Sequence, residues 1–124
     1  MKKLLMILSV LVFFSIGIQA ADINHIPAAF KSGKTESLLS FTETELDLSL
    51  PTGKFKCKKG EALARLERFL LEKKPNAFDI LHHAEKNESG FLVAKLKTEK
   101  GDFRVNITYR TEKEKAIIQS IRIE

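Results

Sequence analysis

The sequence predicts an α+β domain in which helices cover one face of a mainly antiparallel sheet. Three observations carry that expectation. Four stretches in the last third alternate apolar and polar residues with period two. Short turn-rich joints separate them. A helical apolar stripe precedes them and supplies a cover.

The alternation is clearest at Phe103, Val105, Ile107 and Tyr109, set against Arg104, Asn106, Thr108 and Arg110. Successive side chains of a strand point to opposite faces, so this stretch is a strand buried on one side. Residues 92–97 repeat the pattern, with Leu92, Ala94 and Leu96 against Val93, Lys95 and Lys97. Residues 78–83 place Phe78, Ile80 and His82 opposite Asp79, Leu81 and His83. The last stretch sets Ile117, Gln119, Ile121 and Ile123 against Ile118, Ser120 and Arg122. Joints at 86–90, 99–101 and 111–115 suit hairpins, two of them through glycine, so the four strands form a meander. A sheet with one apolar face must be covered.

The clearest helix is residues 61–74. Ala62, Leu63, Leu66, Phe69 and Leu70 form one stripe, while Arg65, Glu67, Arg68 and Glu72 face water. Lys73 and Lys74 suit its C-terminal end, and Pro75 stops it. Its start lacks a good side-chain cap. An earlier helix is expected over 22–34, capped by Asp22, interrupted by Pro27 and stopped by Gly33. Thr35 then caps a short helix over 36–41. Residues 43–50 alternate as a strand and end in the turn Pro51-Thr52-Gly53. Lys56, Lys58 and Lys59 read as a solvated basic loop.

The first twenty residues do not belong to the fold. Lys2 and Lys3 precede an apolar run, Leu4 to Ile18, and small Ala20 follows. That is the pattern of a secretory signal peptide, and the run is shorter than the roughly 20 residues a spanning helix needs. The expected organisation is a signal peptide at 1–20 and one domain at 21–124, exported to the periplasm or beyond. Cleavage shortens the 124-residue chain to 104 residues and removes two lysines, lowering the formal charge from +5 to +3. So small a charge does not argue for nucleic acid. Cys57 is the only cysteine, so no intramolecular disulfide forms and the core must supply stability.

The order helix, short helix, strand, helix, four strands resembles the cone-shaped fold of nuclear transport factor 2 and ketosteroid isomerase, a curved sheet wrapped around helices. A nearer resemblance lies in particular residues. These are Ala21-Asp22-Ile23, Ala29-Phe30-Lys31-Ser32-Gly33, Phe78-x-Ile80-x-His82, Leu96-x-Thr98-x-x-Gly101-x-Phe103-Arg104-Val105 and Ile121-Arg122-Ile123-Glu124. They look like the small exported family called domain of unknown function 4783. The resemblance spans the whole domain and implies fold and export, with no activity to transfer.

Chemistry-bearing motifs are sparse. There is no HExxH, paired CxxC or glycine-rich phosphate loop. His82 and His83 are neighbours on a strand and point to opposite faces. Asp79, His83 and Glu85 share a face by alternation, a weak metal-ligand pattern. No cofactor is expected. In a cone, His82, Thr98, Tyr109 and Gln119 would line the concave face, as contacts for a small apolar ligand. An isomerase or hydratase around His82 and Tyr109 is the alternative, though such chemistry needs a carboxylate in an apolar pocket. On the other face, Leu81, Phe91, Val93 and Ile118 form a candidate surface for a homodimer or an envelope protein.

Overall fold

The computed structural model describes residues 22–124. The expected signal peptide lies outside the described residues. The elements are α1 (His25–Ser32), a 3-10 helix (Thr35–Phe41), β1 (Thr42–Leu50), β2 (Gly53–Lys58), α2 (Lys59–Lys73), β3 (Pro75–Lys86), β4 (Ser89–Thr98), β5 (Gly101–Glu112) and β6 (Lys115–Ile123). The strands form one curved sheet in the order β2-β1-β6-β5-β4-β3. All neighbours are antiparallel except β1 and β6, which run parallel. The four-strand meander is therefore present, extended on one side by the β1–β2 hairpin.

Both helices cover one face of the sheet. Ile26, Ala29 and Phe30 of α1 join Leu63, Leu66, Phe69 and Leu70 of α2 in a single buried cluster. The sheet contributes Leu46 and Leu48, Leu92 and Leu96, Val105 and Ile107, and Ile121 and Ile123. Phe30 stacks on Phe78 at 4.8 Å, and Phe69 meets Phe103 edge-on at 5.3 Å. These rings fill the concavity, and dense packing of this kind makes single deletions costly.

Helix boundaries differ from expectation for local reasons. Asp22 Oδ1 accepts from the Asn24 amide at 3.0 Å, closing a turn before α1 rather than capping it. Pro27 then falls in the first turn, where a missing N–H costs nothing. Gly33 ends α1 in the left-handed conformation at φ 75°, as expected. Thr35 does not cap its own short helix. Its hydroxyl donates to the Leu63 carbonyl at 2.8 Å and ties that turn to α2.

The strand missed from sequence is β2. Phe55 and Cys57 pack against the core, while Lys54, Lys56 and Lys58 point to solvent. Lys56 sits opposite Asp47 and Lys58 opposite Glu45. Lysine is unfavourable for strands in general, and cross-strand acids offset that here. β2 is also a sheet edge, where lysines discourage pairing with other chains.

Two irregularities reassign faces. In β3, Ile80 pairs with Ala94 but His82 pairs with Val93, so Leu81 is an extra residue. In β6, Ile118 pairs with Tyr109 but Ser120 pairs with Thr108, so Gln119 is extra. Each is a β-bulge, and each shifts the pleat by one residue. Upstream of Leu81, Phe78 and Ile80 face the helices. Downstream, His82 faces away, and His83 and Glu85 face inward.

One close approach needs glycine. Gly90 lies opposite Tyr109, and a Cβ at position 90 would come within 2.5 Å of the phenol ring. The ring is rigid and buried, so it has nowhere to retreat. Gly90→Ala should therefore destabilise the fold by roughly 1–3 kcal/mol in urea denaturation, as overpacking does. Leu66→Ala should cost about 2–5 kcal/mol in the same measurement, because Leu66 is wholly buried.

Candidate functional site

The polar quartet expected on the concave face does not converge. Tyr109 is there, wholly buried. His82 is exposed on the convex face, moved by the Leu81 bulge, with its ring 5.6 Å from Phe91. Gln119 is exposed because it is the bulged residue itself. Thr98 is buried but sits at the β4–β5 turn, far from the β3–β4 turn beside Tyr109. Its hydroxyl donates to the Gly101 carbonyl at 2.5 Å and accepts from the Lys100 amide at 3.1 Å. Thr98 is a turn clamp.

What Tyr109 does meet is Glu85. The phenol donates to Glu85 Oε2 at 3.0 Å. The Leu81 bulge brings that carboxylate inward, across Gly90 from the ring. Burial, then the hydrogen bond to Glu85 and its negative charge, hold the phenol well above its ordinary value. Tyr109 is thus a neutral donor throughout the physiological range and satisfies one carboxylate oxygen. The bulge also separates the weak metal set, with Asp79 outward and His83 and Glu85 inward. Among the described residues no three His, Cys, Asp or Glu side chains cluster as a metal site. Cys57 is a half-buried free thiol on the inner side of β2.

A second polar cluster lies at the start of β1. Arg110 donates to Glu43 Oε1 at 2.7 Å and to Glu112 Oε2 at 2.5 Å. These bonds hold the Glu112 carboxyl below its ordinary value. The cluster borders a groove of about 490 Å³ shared with Ser40, Thr42 and Lys115. With two carboxylates already on it, the guanidinium serves as a staple between β5 and β1.

The convex face is different in character. Leu81 is 63 % exposed and Phe91 41 %, and both lie beside half-buried Val93. Ala84 stands opposite Phe91, and His82 opposite Val93. Three of the four residues expected on this surface are therefore there. Ile118 is not; the β6 bulge turns it into the core, and Ile117 faces outward opposite Arg110. A groove of about 450 Å³ runs from Leu81 past Phe103 to Arg104 and Glu124. Around it stand ion pairs of both signs: Lys95 with Asp102 at 3.5 Å, Lys97 with Asp79 at 3.8 Å and Arg122 with Glu124 at 3.3 Å. Such exposed pairs add little stability, but they leave the face close to neutral.

Tyr109 is the only tyrosine, and the chain has no tryptophan, so its ionisation can be followed by absorbance. A folded-state value raised above the unfolded one stabilises the fold below pH ~10 and loses that contribution as pH rises further. The expected titration is therefore late and coincident with alkaline unfolding. Tyr109→Phe should remove that linkage at a cost of about 1 kcal/mol at neutral pH.

No curated protein matches the chain. Solved structures do. A DUF4783 protein from Bacteroides ovatus ATCC 8483 is 26% identical, with a TM-score of 0.75 over 86% of this chain and 96% of its own. A DUF4783 protein from Bacteroides uniformis ATCC 8492 is 29% identical, with a TM-score of 0.75 over 83% and 96%. An NTF-2 like protein of unknown function from Silicibacter pomeroyi DSS-3 is 13% identical, with a TM-score of 0.59 over 80% and 85%, a likeness of fold alone. The model of the family "Domain of unknown function (DUF4783)" matches residues 23–124. With that match over a six-stranded curved sheet and its covering helices, the chain belongs to the DUF4783 family and has an NTF2-like fold.

Proposed function

We propose that the protein is an exported, non-catalytic interaction module that pairs with a second copy of itself through the convex face of β3, β4 and β5. The observation that carries this reading is the exposure of two large apolar side chains, Leu81 and Phe91, on that face. Large apolar side chains exposed on one face, with half-buried Val93 between them, favour a partner surface. Two further features support a second copy as the partner. The surrounding charges are mixed and internally paired, so the face does not repel its own image. The rival sheet edge, β2, is guarded by three lysines.

Catalysis has less support. An isomerase or hydratase would need the carboxylate to act as a base in a pocket, whereas Glu85 already accepts a hydrogen bond from the Tyr109 hydroxyl. A small apolar ligand in the cone also has less support, because Phe30, Leu66, Phe69 and Phe103 occupy that space. Export rests on Lys2, Lys3, the apolar run that follows, and Ala20.

Sedimentation velocity on the purified protein tests the pairing. A dimer is expected at micromolar concentration, with the standard interface of roughly 1,600 Å². Phe91→Glu should raise the dimer dissociation constant by roughly 30-fold or more, the ~2 kcal/mol of a central aromatic anchor. Folding stability should move by no more than about 0.5 kcal/mol, since position 91 is partly exposed in the single chain. A wild-type protein that stays monomeric at a hundred times that concentration would overturn the reading.

A further inference from the structure

Among the described residues, two buried side-chain nitrogens have no hydrogen-bond partner, Arg65 Nε and His25 Nε2. Arg65 has compensation: its guanidinium lies 4.3 Å above the Phe55 ring, and its Nη2 reaches Glu61 at 3.3 Å. His25 has a stacking partner. Its ring lies flat against Phe41 at 4.0 Å, with 25° between the planes. His25 opens α1 and Phe41 closes the 3-10 helix, so this one contact joins the two elements.

The chain just before His25 is held from the other side. The Asp22 amide donates to the Glu114 carbonyl at 2.8 Å, and Asp22 forms a parallel bridge with Lys115. The N-terminal segment is thus pinned between the β5–β6 turn and the His25–Phe41 stack. The stack suits a neutral ring only. An imidazolium carries two N–H donors, and the buried Nε2 has no acceptor. The amide ends of the first helical turn also disfavour a cation there.

The surrounding charges do not rescue it. Burial lowers the imidazole from its ordinary value, and the carboxylate of Asp22 opposes this more weakly. Glu114 and Lys115 flank the Asp22 bridge. Lys113 shares the adjacent groove with Glu43, Arg110 and Glu112; Arg110 bonds both carboxylates, and Lys113 and Lys115 supply the remaining positive charge. Lys31 lies in the last turn of α1, away from the ring.

We propose that His25 is an acid-sensitive latch: when its Nε2 takes a proton from solvent, the His25–Phe41 stack opens and residues 22–24 leave the β5–β6 turn, while the sheet stays folded. The proton is the only reactant, and no covalent bond changes. This device is independent of the proposed self-association, because it sits across the fold from Phe91. It is confined because Ala29 and Phe30 anchor α1 in the core one turn further on.

The direction follows from the lowered value. The closed form is fully favoured above the ordinary histidine value of 6.5 and loses ground as pH falls below it. With one proton taken up, the closing equilibrium falls by up to about tenfold per pH unit within that window. Amide exchange of the purified protein, corrected for intrinsic rates, reads this between about pH 7.5 and about pH 5. Protection of the Ile26 amide, bonded to the Ile23 carbonyl at 3.1 Å, should drop while amides of β5 hold. His25→Phe keeps a ring against Phe41 but cannot take a proton, and its Ile26 protection should be flat over the same range. Equal pH dependence in wild type and variant overturns the latch, as does simultaneous loss across β5. Should the variant fail to fold, the wild-type His25 resonances decide. A midpoint below 6.5 with the Phe41 ring signals moving in step supports the proposal, and a titration that leaves Phe41 unmoved overturns it.

Discussion

A curved sheet that is apolar on one face depends on what fills its hollow. Here two aromatic contacts close it, Phe30 on Phe78 and Phe69 on Phe103, one from each helix. Between them the aliphatic residues of β4, β5 and β6 meet Leu63, Leu66 and Leu70. The single free cysteine forms no internal disulfide, so this burial is the main source of stability. The same filling governs function. A concavity packed with phenylalanine and leucine leaves its buried phenol to bond a carboxylate at the rim, as Tyr109 does with Glu85.

The second organising constraint is the pleat. A bulge of one residue exchanges every later side chain between the two faces. The bulge at Leu81 sends His82 out and brings Glu85 in. The bulge at Gln119 buries Ile118 and exposes Ile117. The Gln119 bulge adjoins Tyr109 on β6, and the Leu81 bulge lies two strands from β5 on the other side. They decide which residues stand on the convex face and which turn toward the helices. Gly90 belongs to the same arrangement, because its missing side chain is the space the phenol ring occupies.

Charge is distributed to match. Ion pairs cross the convex face, and lysines stand guard on β2, whereas among the described residues the buried polar side chains are the uncharged Thr35, Thr42 and Thr98. Arg110 is satisfied by two glutamates at the rim. Among the described residues two buried side-chain nitrogens lack a polar partner; Arg65 Nε belongs to a guanidinium stacked on Phe55, which leaves the imidazole of His25. That is why acid should act at the N-terminal segment before it acts on the sheet.

Much of the architecture was legible in the residues alone. Alternation over 92–97 and 103–110, the stripe from Ala62 to Leu70, and the stops at Gly33 and Pro75 are local patterns, and local patterns determine strands, helices and their ends. The fold class and the meander follow from them, as do Tyr109 inside and Leu81 with Phe91 outside. The strand β2 was obscured because its three lysines read as solvated loop, and only Asp47 and Glu45 across the ladder make them strand residues. The site was less legible. Whether His82 or Glu85 shares a face with Tyr109 turns on one inserted residue whose own identity, leucine, carries no signal of a bulge. Register is a property of two strands together, so tertiary pairing alone decided it, and with it the polar partner of the only tyrosine.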